Sequence, residues 1–190
     1  MSEVFKYNTE ESVKQHPVQQ QAPTLRLVSE TDPILRQVLT DFDFNTPPVN
    51  AIELASALVE TCKQNRGIGL SANQCGYPFR VFVMGANEDY VAFFNPRITW
   101  KSEEDVHMME GCLSFPFLGL MITRPKEIEV EYQSYTGETK QTKFTGISAR
   151  CFQHELDHMN GIVYTDKVKP LALQQGMKKR NKIMKKIGFR

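Results

Sequence analysis

The sequence predicts an α+β fold, and three observations lead to that prediction. Four short segments are apolar or alternate apolar with polar residues, as strands do: residues 80–84, 91–94, 127–132 and 139–144. The spacing of Leu54, Leu58 and Cys62 indicates a helix from Ala51 to about Gln64 with one buried face. These elements follow a mixed order with few helices, which favours α+β over alternating βαβ units.

The chain before and just after the first helix is predicted from composition and capping residues. Residues 1–22 are polar and lack apolar periodicity, which is typical of a mobile tail. Residues 25–28 are expected to form a short strand, and residues 31–36 a turn that leads into a short helical segment. Asn50 is expected to cap the first helix, and Gly67 to stop it.

Turn residues also divide the second half of the chain. Asn95 and Pro96 are expected to close the strand at 91–94. A turn at 135–138 is expected to send the strand at 127–132 back antiparallel. Ser148 is expected to cap a helix that follows this hairpin.

Composition limits the class of protein. The chain has 190 residues, 41% of them hydrophobic, which fits one domain with an ordinary core. Its formal net charge of +1 gives no overall positive potential that would attract DNA or a membrane. No apolar run approaches the roughly 20 residues of a membrane span, and no signal pattern opens the sequence. The 4 cysteines form no Cys-x-x-Cys pair, as expected for reduced thiols of a cytoplasmic protein.

Residues 153–158 contain the pattern His-Glu-x-x-His. On a helix, His154 and His158 lie one above the other and can share one metal ion, while Glu155 can accept a proton from a metal-bound water. The helix is apolar on most of its circumference, which predicts that it is buried. Burying two histidines and a glutamate is costly unless they are paired or bind metal.

A catalytic metal usually takes three protein ligands. No His follows His158, so Asp157 and Asp166 remain as downstream candidates. Cys112, in the segment Glu-Gly-Cys-Leu-Ser, is the stronger upstream candidate because a thiolate binds Zn²⁺ or Fe²⁺ well. Taken alone, a cysteine beside a glycine is more often structural.

Three motifs in order resemble the peptide deformylase family. They are Gly-Ile-Gly-Leu-Ser-Ala-Asn-Gln at 67–74, Glu-Gly-Cys-Leu-Ser at 110–114 and Gln-His-Glu-Leu-Asp-His at 153–158. The resemblance covers roughly residues 24–170. Ser71 stands where the family has alanine, Arg150 where an apolar pocket residue is usual, and Gly119 where many members have arginine. These departures concern substrate selectivity rather than the chemistry.

The resemblance implies a fold and a reaction. The fold has antiparallel and mixed β-sheets packed around a central buried metal-binding helix. The reaction is hydrolysis of the N-formyl group from the N-terminal formyl-methionine of new polypeptides, with release of formate. The cofactor is one divalent ion per chain, Fe²⁺ by the resemblance, with Zn²⁺, Ni²⁺ and Co²⁺ as alternatives.

The resemblance also assigns roles to residues of this chain. Cys112, His154 and His158 would bind the ion, Glu155 would act as general base and then acid, and Gln74 with the Leu113 N–H would stabilise the oxyanion. Glu110 would fix a histidine tautomer, unless it is an exposed loop carboxylate. The substrate would contact six residues: Gly67, Ile68, Gly69, Met108, Ile147 and Cys151. The last three would line the methionine pocket, unless they are simply core.

The C-terminal residues suggest a further partner. Residues 23–170 would form the catalytic domain and residues 171–190 a basic amphipathic helix. Its basic side would either face solvent or contact ribosomal RNA near the exit of new chains.

Two other functions share part of this pattern. A general zinc endopeptidase would usually take a downstream His or Glu as its third ligand, but no His follows His158 and no Glu follows Glu155. A deformylase-like binding protein without activity would have little reason to keep the complete set of Gln74, Cys112, His154, Glu155 and His158.

Overall fold

The computed structural model describes residues 22–188, so all of the predicted tail at 1–22 except its last residue lies outside it, as do the last two residues of the chain. Within the described range the predicted α+β class is confirmed, with three α-helices and two sheets. The helices span Ala51–Gln64 (α1), Gly146–Met159 (α2) and Pro170–Ile187 (α3). The strands span Gly69–Ser71 (β1), Val81–Ala86 (β2), Asp89–Lys101 (β3), Asp105–Cys112 (β4), Phe115–Pro125 (β5), Glu127–Gln133 (β6) and Thr139–Thr145 (β7). Short 3₁₀ helices span Pro33–Arg36, Ala72–Cys75 and Tyr164–Lys167.

The larger sheet lies between helices α1 and α2. Its strand order is β1-β2-β3-β6-β7, and each neighbouring pair is antiparallel. Successive residues of β2 face opposite sides, as the pleat requires. Phe82 packs into a core with Phe152 of α2, and Val83 packs into a second core with Leu58 of α1. The helix with the His-Glu-x-x-His pattern is therefore buried against one face of the sheet.

Aromatic contacts with the larger sheet anchor α2. Phe152 meets Phe82 edge-on with ring centroids 5.1 Å apart, and meets Phe93 edge-on at 5.4 Å. Phe144, on β7, lies 5.6 Å from the same ring. Such pairs stabilise beyond the area they bury, by about 0.5–1.5 kcal/mol each. Phe152 therefore fixes the rotation of α2 and the direction in which its histidines point.

Several sequence predictions of local structure are confirmed and three are wrong. Asn50 caps α1 by accepting hydrogen bonds from the N–H groups of Ile52 and Glu53. Residues 25–28 are not a strand; Val28 makes one backbone hydrogen bond to Gln74. Ser148 is not a cap, because α2 already begins at Gly146.

The third wrong prediction concerns Asn95 and Pro96, because β3 continues through them. Asn95 takes a left-handed φ of 50°, and the register against β6 shifts there. Its side chain accepts from the Phe42 N–H and donates to the Phe42 carbonyl and to Gln133. A local bulge held by side-chain hydrogen bonds thus replaces the predicted end of the strand.

A separate hairpin, β4–β5, brings the Glu-Gly-Cys segment to α2. Residues 105–125 were not predicted as strands from the sequence. On one side of this hairpin, α3 packs so closely that a Cβ at Gly176 would lie 2.8 Å from Leu120. Arg180 of α3 is buried and pairs with Glu30. Between residues 22 and 188, no helix has the length and apolar character to cross a membrane.

A buried cluster of charges joins the hairpin to α2. Arg124 of β5 donates to both oxygens of Glu110 on β4, at 2.6 and 2.9 Å, and to Asp157 of α2 at 2.7 Å. Arg150 of α2 donates to Glu110 at 2.5 Å. Burial alone would raise the pKa of Glu110, but hydrogen bonds from Arg124 and His154 outweigh it and lower the pKa to about 2. The carboxylate is therefore charged at every physiological pH.

We predict that Glu110 makes unfolding depend on acidity. Its folded pKa is depressed, so its contribution is complete above the ordinary value of 4.5 and is lost as pH falls towards 2. Replacing it with glutamine leaves two buried arginines underpaired and should cost about 3–5 kcal/mol at pH 7. The difference between wild type and Glu110→Gln should shrink between about pH 5 and pH 3 in urea unfolding.

The matched control is Glu104→Gln. Glu104 is exposed and pairs with Lys126 on the same hairpin. An exposed pair of this kind contributes only about 0–1 kcal/mol. A Glu110→Gln deficit that stays constant from pH 7 to pH 3, or that matches the control, would contradict the prediction.

Candidate metal centre

Cys112 and two histidines of α2 meet in the structure. His154 and His158 lie one turn apart with ring centroids 5.3 Å from each other. Cys112, at the end of β4, places Sγ 3.4 Å from Nε2 of His158. One donor atom from each of the three residues lies within 4.8 Å of the other two. The helix supplies the histidine pair and the hairpin supplies the sulfur.

The chemistry of these donors fits a divalent ion. A carboxylate can only accept, so Nδ1 of His154 donates to Glu110 at 3.1 Å and Nε2 is left to act as ligand. One thiolate and two imidazoles suit Zn²⁺ and Fe²⁺ and leave a fourth position for water or substrate. Nδ1 of His158 is buried and has no hydrogen-bond partner among residues 22–188.

The two downstream aspartates are engaged elsewhere. Asp157 pairs with Arg124 and Lys167. Asp166 pairs with Arg36 and accepts from the Val163 N–H. Neither belongs to the group of donors that meets at Cys112.

The surroundings shift the pKa values of the two histidines in opposite directions. Burial, followed by the charge of His154, lowers the pKa of His158 far below its ordinary value, which leaves it neutral and able to bind a metal. Burial also lowers the pKa of His154, but hydrogen bonds with Cys112 and Glu110 outweigh burial and raise it to about 10. The surroundings of His154 thus favour a positive charge beside the sulfur, and a bound cation satisfies that preference in place of the proton.

Glu155 lies buried next to the three candidate ligands. Burial is the main cause that raises its pKa above the ordinary carboxyl value. The hydroxyl of Ser71 donates to its Oε2 at 2.6 Å. A Cβ at Gly69 would overlap Oε1 of Glu155 and lie 2.7 Å from the Cys151 sulfur. Glycine is therefore needed at 69, because β1 passes directly over this carboxyl group.

The predicted oxyanion donor Gln74 is also at the centre. It is buried in a 3₁₀ helix, and its Nε2 lies 3.3 Å from Cys112 Sγ and 3.0 Å from Ser114 Oγ. Its Oε1 accepts from the Ser71 N–H, which fixes the orientation of the amide. Leu113 follows Cys112 in the turn between β4 and β5 and lines the same cavity.

A cavity of about 650 Å³ opens beside the centre. One wall contains Gly67, Ile68 and Gly69, and α2 contributes Ile147 and Cys151; these are five of the six residues predicted to contact the substrate. Met108 does not line this cavity; its neighbour Met109 does. Successive side chains of a strand face opposite sides, so a one-residue difference decides which methionine reaches the cavity.

Arg150, which stands where the family usually has an apolar pocket residue, points inward. It is 4% exposed, and its guanidinium donates to Glu110 and to the carbonyls of Ile122 and Val106. The guanidinium is thus hydrogen-bonded to β4 and β5, and Arg150 still lines the cavity.

Two contributors to the site escape prediction from the sequence. In the sequence, Ser71 is interpreted only as a tolerated small residue in place of alanine. A hydroxyl in one motif and a glutamate in another could have indicated their hydrogen bond. Arg124 carried no signal, because nothing in its segment predicted the β4–β5 pairing.

Comparisons with known proteins agree with this geometry. The family model described as polypeptide deformylase matches residues 24–174. A peptide deformylase of Finegoldia magna is 36% identical over 77% of this chain and 90% of its own length. The peptide deformylase of Synechococcus elongatus, solved with actinonin, superposes with a TM-score of 0.75 at 31% identity over 84% of this chain and 87% of its own. A class I type b enzyme of Acinetobacter baumannii, solved with Met-Ala-Ser, gives 0.73 at 28% identity over 77% and 99%.

The match to the family model spans most of the chain and includes all three motifs. With the three donors assembled beside Glu155, the chain belongs to the peptide deformylase family.

Proposed function

We propose that the deformylase activity of this chain depends on one divalent ion held by Cys112, His154 and His158. As a family member, the chain removes the N-formyl group from the N-terminal formyl-methionine of new polypeptides and releases formate. The observation that carries the assignment of residues is the meeting of three donor atoms within 4.8 Å, next to the buried Glu155.

The ion, when bound, would supply a Lewis acid that lowers the pKa of water towards neutrality. The residues of the chain handle protons and charge. Glu155, held by Ser71, accepts a proton from the attacking water and returns it to the amine nitrogen as the C–N bond breaks. The Gln74 amide and the Leu113 N–H stabilise the negative charge on the formyl oxygen. Formate and a free amine are the products.

The substrate is proposed to bind as an added strand along 67–69. β1 pairs with β2 on one side only, and its first residue, Gly69, lines the cavity together with Gly67 and Ile68. An extended peptide can therefore hydrogen-bond to this edge. The methionine side chain would then enter the cavity at Ile147 and Cys151. The relative solved with Met-Ala-Ser supports this class of ligand.

We propose Fe²⁺ as the native ion, on family resemblance. Zn²⁺, Ni²⁺ and Co²⁺ are the alternatives, because one thiolate and two imidazoles suit all four. Elemental analysis after anaerobic purification, with activity measured per bound metal, identifies the ion.

The ligand assignment predicts which cysteine controls metal binding. Cys112→Ala should weaken Zn²⁺ binding by at least about 100-fold, because a strong thiolate ligand is lost. Cys75→Ala is the matched control, since Cys75 is half-buried elsewhere and its pKa is raised by burial to about 12. Calorimetric titration of the metal-free protein measures both. Equal loss in the two variants, or none in Cys112→Ala, would contradict the assignment.

The role of Glu155 is tested by formate release from a formyl-Met peptide. Glu155→Gln keeps an acceptor for the Ser71 hydroxyl but cannot take up a proton, so kcat should fall about 100–10,000-fold. Metal content should stay at one ion per chain.

Glu103→Gln, at an exposed position, is the control. Retention of more than a tenth of wild-type kcat by Glu155→Gln would remove Glu155 as the proton carrier. Cleavage of an unformylated peptide would instead favour the endopeptidase alternative.

We also propose that the basic face of α3 contacts the ribosome and that the enzyme works in the cytoplasm, where its substrate emerges. Five lysines on α3 are exposed: Lys178, Lys179, Lys182, Lys185 and Lys186. The opposite side of the helix is occupied by its packing on β5. The exposed lysines are therefore free for phosphate contacts without disturbing the fold. In this proposal, residues 23–170 form the catalytic domain and residues 171–190 form the C-terminal helix that contacts the ribosome.

Charge removal tests this proposal without losing the packing of α3. Changing Lys178, Lys182 and Lys186 to glutamine should reduce co-sedimentation with ribosomes several-fold at low salt, since each phosphate contact adds to the salt dependence. The control changes three exposed lysines elsewhere, Lys101, Lys143 and Lys167, to glutamine. Equal pelleting of both triple variants would end the proposal.

A further inference from the structure

The mouth of the cavity carries exposed apolar side chains on the β4–β5 hairpin. Met109 is 61% exposed and Phe117 is 44% exposed, and both line the cavity that contains Cys112. Large apolar side chains at the mouth of a binding cavity are available to contact a ligand. These two belong to the smaller sheet, and so to a different wall from Gly69 on β1.

Gly119 makes room for Met109 on this wall. A Cβ at position 119 would lie 2.9 Å from the Met109 sulfur and 3.6 Å from its Cγ. The φ of Gly119 is not in the left-handed region, so the backbone there does not itself require glycine. The absence of a side chain instead lets Met109 lie across β5. Methionine is flexible and polarisable, so it can adapt to different apolar partners.

The geometry of an extended peptide decides which of its side chains reaches this wall. If the substrate pairs with the edge at 67–69, its first and third side chains point to the same side, about 6.6 Å apart. The second side chain points the opposite way. With the methionine in the pocket at Ile147 and Cys151, the third side chain would point to the same side of the peptide as the methionine.

We propose that Met109, lying over Gly119, and Phe117, on the lining of the same cavity, form a subsite that selects an apolar side chain at the third residue of the substrate. This rests on the proposed function and on the edge-strand mode of binding. Burying most of a leucine side chain against the subsite, rather than leaving it in water, is expected to favour it over serine by roughly tenfold.

The rim also offers a competing preference. Arg66, at the cavity mouth before Gly67, is exposed and has a left-handed φ of 54°. A third residue directed towards Arg66 would be selected for negative charge. A substrate with aspartate as its third residue therefore shows whether that residue lies near Arg66 or near Met109 and Phe117.

The test compares kcat/KM for formyl-Met-Ala-Leu, formyl-Met-Ala-Ser and formyl-Met-Ala-Asp. Wild type should prefer leucine to serine by roughly tenfold, with aspartate no better than serine. Met109→Gln should reduce the leucine preference to below about threefold. Gly119→Ala should reduce it as well, because the new Cβ displaces Met109.

Met121→Gln is the matched control. Met121 is the direct partner of Met109 in the hairpin register and is 43% exposed, but it does not line the cavity. Its substitution should leave the preference intact. Equal rates for the three peptides in wild type, a preference for aspartate, or an equal effect of Met121→Gln would overturn the subsite while leaving deformylation in place. Failure to release formate from any of the three would instead overturn the proposed function.

Discussion

The buried carboxylate of Glu110 is the interaction on which the rest of the centre depends. It accepts two hydrogen bonds from Arg124 on the neighbouring strand, one from Arg150 of α2 and one from Nδ1–H of His154. Glu110 lies two residues before Cys112 on the same strand. The group that orients a histidine is thus rigidly linked to the residue that supplies the sulfur, and the hairpin and helix cannot separate without exposing unpaired charges.

Such a cluster is costly to bury, and its geometry shows what it contributes. Each arginine bonds to more than one acceptor, so the donors of the cluster are largely satisfied. Apolar side chains of the same total volume, in place of all the charged groups of the cluster, could stabilise the fold as well or better. They could not hold the His154 tautomer that turns Nε2 towards the sulfur, which a carboxylate acceptor does. The cluster therefore orients a candidate metal ligand as well as joining the hairpin to α2.

A second wall of the site is built from backbone rather than charge. β1 passes so close to Glu155 that only glycine fits at 69, and Ser71 on the same strand donates to that carboxyl group. Gln74 follows in the next turn and bonds to Ser114 beside Cys112. One short edge strand and its turn thus hold the Glu155 carboxyl group and the Gln74 amide, which are the proposed proton carrier and oxyanion donor.

The sequence by itself determined the parts whose signal is local. Residues four apart on a helix must share a face, so the pairing of His154 with His158 follows from their spacing alone. The helix at 51–64 and the hairpin at 127–145 followed from periodicity and turn residues in the same way. The tertiary structure decided what depends on contacts between distant segments. The pairing of β4 with β5 put Met109 rather than Met108 at the cavity, turned Arg150 inward and brought Arg124 to Glu110. Strand register and the partner of a buried charge are set by residues far along the chain, and local spacing carries no record of them.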